Sequence, residues 1–262
     1  MPLQLSDRVS VSGMKWWLDG SAFERSCALR APYADDPKTS GQINFTHAEL
    51  RSILEEAGQE NTQLLLHACG DRTAEALLRE MEATGGKAVW PGRRLRIEHG
   101  DGLLPDLIPR VSAVGAIVVQ NPTHLQGRDL VVQRFGGDRF ALQSPFRSLL
   151  SAKIKLVLAS DAAAGDPELN PYLNIMLACD CPGKPNESLT REEAVLAYTR
   201  TAAYAEYTED RKGTLEPGKF ADLAVLSQDI FKVSEDLLPQ TQSVLTVING
   251  RIVYANDVSV KQ

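Results

Sequence analysis

The sequence predicts an α/β fold built on a parallel sheet, and three observations carry that reading. Short apolar runs of strand length, each closing on polar residues, recur up to Asp161. Helical patterns fall between most of them, and parallel neighbours need such crossovers. Beyond Gly213 the texture changes to short β-branched runs, which predicts a small antiparallel β unit after the α/β part.

The elements follow in chain order. Met1 to Ser10 alternates polar and apolar residues without the charged start and apolar stretch of a signal peptide. Nowhere do about 18 apolar residues run together, which excludes a transmembrane helix and makes the cytoplasm the expected compartment. Gly13–Asp19 reads as the first strand, and Thr46-His-Ala-Glu49 as a capping box opening a helix through about Ala57. Gln63–His67 is the next strand. Asp71 is placed to cap a helix through about Ala83, with Ala74, Leu77, Leu78 and Met81 as its apolar positions. Leu95–His99, Gly115–Gln120 and Ile154–Asp161 are further strands. A last helix, about Arg191 to Tyr207, puts Ala194, Tyr198, Ala202 and Ala205 on one face. Asn249-Gly250 between Val244–Ile248 and Arg251–Tyr254 is a hairpin signal. The division falls near Gly213, giving 1–212 and 213–262.

The chain carries 28 basic and 34 acidic residues, net charge −6, with no basic run interleaved with aromatics. Nucleic-acid and anionic-membrane partners are therefore disfavoured, and a small-molecule substrate is expected. Cys27, Cys69, Cys179 and Cys181 make no disulfide framework in a chain this long. Cys179-x-Cys181 can grip a metal, but with no second pair reduced structural thiols are the simpler reading.

Lys15, His67, His99 and Asp161 each stand at or near the C-terminal end of a predicted strand, the face on which α/β barrels build active sites. Alternation groups Leu65 with His67, Leu95 and Ile97 with His99, and Val157 and Ala159 with Asp161. Singly, each is more simply a satisfied, solvated or capping group than a ligand. Together, two imidazoles and a carboxylate suggest a metal such as zinc. His47, inside a capping box, is expected on the surface. His124, in Gln120-Asn-Pro-Thr-His124, lies just after a strand and either contacts substrate or shapes a turn.

Lys15-Trp-Trp-Leu-Asp19-Gly20-Ser21, His67-Ala-Cys-Gly70-Asp71, Arg96-Ile-Glu98-His99, Gln120-Asn-Pro-Thr-His124, Ser160-Asp161 and Gly213-Thr-Leu-Glu-Pro-Gly-Lys-Phe-Ala-Asp222 occur in the order seen in the amidohydrolase-3 family. That family includes deformylases of N-substituted formamides, and this chain resembles its C-terminal half from about Gly13 to Tyr254. The resemblance implies a partial (β/α)8 TIM-type barrel, strands four to eight, with 213–262 as a β-sandwich portion. It implies that Lys15 is the strand-four lysine, carboxylated in many relatives to bridge two metals. His67 and His99 match the histidine ligands of strands five and six. Asp161 matches the strand-eight aspartate, a metal ligand and the base for the attacking water. The implied cofactor is one or two divalent ions, zinc foremost. The implied activity is metal-dependent hydrolysis of non-peptide carbon–nitrogen bonds in amide or formamide substrates.

That chemistry is sensible on its own terms. A divalent metal lowers the pKa of water toward about 7 and polarises a carbonyl, and a nearby carboxylate takes the proton. Lys15 serves only when neutral and carbamylated, since an ammonium repels a cation; a plain ion-paired lysine is the alternative.

The family's strand-one His-x-His pair is missing, since the histidines stand at 47, 67, 99 and 124. An incomplete apparatus, weakened metal affinity and self-association through two open sheet edges are the expected consequences. A truncated gene, an expressed fragment, a half that assembles with another chain and a non-catalytic remnant all fit. The intact motifs favour the first two. No nucleotide-binding G-x-G-x-x-G or P-loop pattern follows any predicted strand.

Overall fold

A computed structural model describes residues 3–6, 9–60, 62–162 and 169–256. Its centre is a sheet of five parallel strands: β3 (Gly13–Trp17), β4 (Gln63–Ala68), β5 (Arg96–His99), β6 (Ile117–Gln120) and β7 (Leu156–Leu158). They lie side by side in chain order. A doubly wound sheet would reverse direction at a switch point; a sheet that never reverses is one arc of a barrel wall. Ahead of it, β1 (Leu3–Ser6) and β2 (Val9–Val11) form an antiparallel hairpin that the sequence pattern did not single out. After it, β8 (Leu223–Leu226), β9 (Ser243–Ile248) and β10 (Arg251–Ala255) form an antiparallel sheet, with the expected turn at Asn249-Gly250. Residues 257–262 of the expected β unit lie outside the described residues. Among the described residues, no helix is long and apolar enough to cross a membrane.

Register separates the two faces of the parallel sheet. Leu66, Ile97, Val118 and Leu156 pair in one row that packs into the main core beneath the helices. His67, Glu98, Val119 and Val157 pair in the adjoining row, on the opposite face. There Ile117, Val119 and Val157 are covered by Ala205, with Ala202 and Tyr204 beside it.

Helix α1 (His47–Gln59) starts where the capping box puts it: Glu49 N–H donates to Thr46 Oγ1 at 3.3 Å, and Thr46 N–H donates to the Glu49 carboxylate at 2.8 Å. Helix α2 (Asp71–Ala83) buries all four of its expected apolar positions, Ala74, Leu77, Leu78 and Met81. Its cap differs from expectation. Gly70 is the N-cap, and the Asp71 carboxylate instead accepts from Arg30 N–H and Arg72 N–H, both at 2.9 Å, fastening the segment that follows β3. Gly70 is required by close approach, because a Cβ there would stand 1.9 Å from the Ala28 carbonyl oxygen.

Two further boundaries move. The last helix is broken at Thr199 into Arg191–Tyr198 and Arg200–Ala205. Thr199 Oγ1 donates back to the Val195 carbonyl at 2.7 Å, a local bond that competes with the helical ladder. The strand expected over Ile154–Asp161 is only Leu156–Leu158, and the first strand ends at Trp17 rather than Asp19, where the chain turns to bury the Asp19 carboxylate.

Candidate metal centre

The C-terminal ends of β4 to β7 converge on a cavity of about 490 Å³. His67, Cys69, His99, Asp101, His124 and Asp161 all line it. Phe23, Phe135 and Phe140 supply apolar wall, the mix expected of a small-molecule site.

His67, near the end of β4, has Nε2 3.1 Å from the Gly20 carbonyl oxygen. A carbonyl only accepts, so Nε2 carries the hydrogen and Nδ1 keeps its lone pair. That Nδ1 is buried and has no hydrogen-bond partner among the described residues. His99 ends β5. Strict alternation would place it with Leu95 and Ile97 on the helix-covered face, as the sequence pattern suggested. Its left-handed φ of +69° breaks that alternation, and its ring centroid stands 4.3 Å from that of His67. His99 Nδ1 lies 2.8 Å from Asn121 Oδ1, while the Asn121 amide nitrogen donates to the Ala159 carbonyl at 3.1 Å. The second bond fixes Asn121 Oδ1 as an acceptor, so His99 Nδ1 carries the hydrogen and Nε2 is left with a lone pair. Burial and the adjacent His67 charge hold the His99 pKa down at about 4, which keeps it in its neutral, ligating form.

His124 lies in the turn Pro122–Gly127, between two carboxylates. Its Nδ1 is 2.9 Å from Asp101 and its Nε2 is 3.2 Å from Asp161. Burial works against its charge, but the two carboxylates outweigh it and raise the pKa to about 10. Burial likewise opposes the charge of Asp101, yet His124 and the Ser144 hydroxyl, which donates at 3.1 Å, hold it at about 2. Asp161, itself at a left-handed φ of +47°, is lowered first by the His124 hydrogen bond, against burial, with help from the charges of His99, His124 and Lys15.

Two groups of donors lie close enough to share one ion: His67, Cys69 and His99, and His99, His124 and Asp161, each with ligand atoms within 4.8 Å of one another. Unpartnered His67 Nδ1 and the free lone pair of His99 are the nitrogens a cation requires, so these residues fit a divalent metal. Of the four ligands expected from sequence, the structure brings together His67, His99 and Asp161, and adds His124. Lys15 stands outside the cavity lining, though its charge reaches Asp161. It sits on exposed β3, in the inward row with Leu65, its Nζ 5.1 Å from the Trp17 ring. His47 is half exposed and pairs with the buried Glu80.

Three residues of this neighbourhood were not singled out for it by sequence reasoning. Asp101 follows His99 by two positions, a spacing that signals little before the fold is known. Cys69, two positions after His67, is buried; burial pushes its thiol well above the usual range. Asp19 accepts from Ala28 N–H (3.0 Å), Cys69 N–H (3.0 Å), Gly70 N–H (2.9 Å) and the Thr73 hydroxyl (2.7 Å), tying the β3 loop to the end of β4. Burial pushes its carboxyl above the ordinary range against the pull of those four donors.

Comparison with known proteins agrees with this architecture. The profile of the amidohydrolase family matches residues 1–254. Protein LONG AFTER FAR-RED 3 of Arabidopsis thaliana is 30% identical over 261 residues, 95% of this chain and 44% of that protein. The N-substituted formamide deformylase of Arthrobacter pascens is 26% identical over 227 residues, 84% of this chain and 42% of that one. The crystal structure of an uncharacterized metal-dependent hydrolase from Pyrococcus horikoshii OT3 superposes with a TM-score of 0.80 at 27% identity, over 89% of this chain and 48% of its own. The chain spans less than half the length of each.

Proposed function

The chain belongs to the amidohydrolase family, and on that premise we propose that it carries the metal-holding and proton-accepting part of a hydrolase that splits non-peptide carbon–nitrogen bonds in small amide or formamide substrates. Named relatives of both kinds, a formamide deformylase and a metal-dependent hydrolase, support the class of reaction. His67, His99 and Asp161 hold the ion, zinc by the chemistry of the donor set; Lys15 joins them only as a carbamate. When bound, the ion supplies Lewis acidity that polarises the scissile carbonyl and acidifies water.

The remaining work belongs to the chain's own side chains. Asp161 accepts the proton of the attacking water. His124, held by Asp101 at Nδ1 and facing Asp161 at Nε2, orients that carboxylate and meets the substrate at the cavity wall. The aromatic wall excludes water from the reacting bond.

The carrying observation is the convergence of His67, His99, His124 and Asp161, from four different strand ends, on one cavity. Metal content of the purified chain, followed by formate release from N-substituted formamides, tests the reading. Stoichiometric zinc that is lost in His99→Ala, together with turnover, is the expected result. An absence of bound metal, or full activity in His99→Ala, overturns it.

A second reading takes the chain as a non-catalytic remnant or assembly module. Turnover by the 262-residue chain itself would exclude that reading. Either way, we propose the β3 edge as a surface for self-association, because among the described residues β3 pairs only with β4 and Trp17 is 58% exposed.

A further inference from the structure

We propose that Cys69 is itself a metal ligand, completing with His67 and His99 a two-nitrogen, one-sulfur site that selects a thiophilic divalent cation over magnesium or calcium. The inference rests on the metal-dependent reading above and deepens it with Cys69, which lies inside the His67-Ala-Cys-Gly70-Asp71 motif without a ligand role assigned there.

Several features place the sulfur there. The ligand atoms of His67, Cys69 and His99 lie within 4.8 Å of one another, and all three residues are buried. Cys69 Sγ is 3.4 Å from His67 Nε2, on the same ring whose Nδ1 is the unpartnered atom. Both imidazoles carry an uncommitted lone pair, His67 at a buried Nδ1 without partner among the described residues and His99 at Nε2 through the bond of its Nδ1 to Asn121. A cation here would satisfy His67 Nδ1, which is otherwise buried without a partner among the described residues.

The Cys69 backbone is also fixed in place. Its N–H donates to Asp19 at 3.0 Å and its carbonyl accepts from Gly102 N–H at 2.9 Å, so the sulfur is held from both sides by bonds that do not involve it. The other cysteines differ. Cys27 Sγ is engaged by the Tyr33 hydroxyl at 3.0 Å, and Cys179 and Cys181 are buried around the helix Pro171–Asp180. Coordination breaks the Cys69 S–H bond, releases the proton to solvent and forms the sulfur–metal bond, with no change of oxidation state. Sulfur beside imidazole favours zinc or cobalt, whereas magnesium and calcium require oxygen ligands.

Cobalt(II) titration of the whole chain, with thiols kept reduced, tests the assignment by absorbance. An intense near-ultraviolet sulfur-to-cobalt band is expected, displaced by zinc but not by magnesium. It should vanish in Cys69→Ser, persist in Cys179→Ser, and be accompanied by at least a roughly 10-fold weakening of zinc binding in Cys69→Ser. Should Cys69→Ser fail to fold by circular dichroism, X-ray absorption of the zinc-loaded wild type serves instead, with a sulfur scatterer at about 2.3 Å expected. Cobalt bound without a sulfur band, or zinc bound without the sulfur scatterer, overturns the role of Cys69 and leaves the hydrolase reading standing. A chain that binds no cobalt overturns both.

Discussion

Replacing Asp19 with Ala deletes one carboxylate and strands four buried donors: the N–H groups of Ala28, Cys69 and Gly70 and the hydroxyl of Thr73. A buried donor that loses its acceptor costs about 1–3 kcal/mol, so the four together set a gross loss of roughly 4–12 kcal/mol. Removing the carboxylate also relieves the cost of burying it, several kcal/mol, which leaves an expected net destabilisation of about 3–5 kcal/mol. That is a large fraction of the roughly 5–15 kcal/mol that holds a typical domain folded. Asp19→Asn should do less damage. One oxygen can still face Ala28, Gly70 and Thr73, all of which bond to Oδ2, and only the Cys69 N–H then meets an amide donor; the loss is about 1–3 kcal/mol. Urea unfolding followed by tryptophan fluorescence, with Trp16 and Trp17 close by in β3, reads both variants. An Ala variant as stable as wild type, or an Asn variant less stable than the Ala one, would refute the reasoning that Asp19 organises this end of the sheet.

Other consequences follow from the same structure. Leu77→Ala in the fully buried face of α2 should lower stability by about 2–5 kcal/mol in the same unfolding assay, because the packed core cannot close over the void. Thr46→Ala removes one arm of the capping box of α1 and should cost about 1 kcal/mol, with unchanged spectra in the folded state. Asp35 is held at about 2, below its usual 3.8, chiefly by hydrogen bonding to Arg25 and then Arg134. A lowered folded pKa gives stability that is present above the unfolded value and is lost as pH falls from about 4 to 2. Asp35→Asn should therefore flatten the acid limb of a stability-against-pH curve in that window; an unchanged slope would contradict it.

The elements governed by local chemistry were legible in the sequence. The Thr46 capping box, the apolar face of α2 and the Asn249-Gly250 turn each act within a few residues, and each stands where the pattern put it. The parallel direction of the strands followed from the alternation of strand and helix, and their sequential order from the family resemblance. The site's polar residues were legible as strand ends, but the face His99 takes was not. A left-handed residue reverses the alternation, and nothing in Arg-Ile-Glu-His announces it. The break at Thr199 escaped because threonine's back-bond competes with the helix only weakly in any one sequence context. Asp19 and Asp101 escaped for a different reason: their partners lie 54 and 43 residues away at the furthest, in Thr73 and Ser144, so their roles exist only once the chain has folded.

The central claim is that His67 and His99 grip one cation at the mouth of this barrel arc. Anomalous diffraction at the zinc edge, on crystals of the zinc-loaded chain, tests it most directly. A peak about 2.0–2.1 Å from a ring nitrogen of each histidine is the predicted result. Zinc bound elsewhere, or no peak between those two rings, would contradict it.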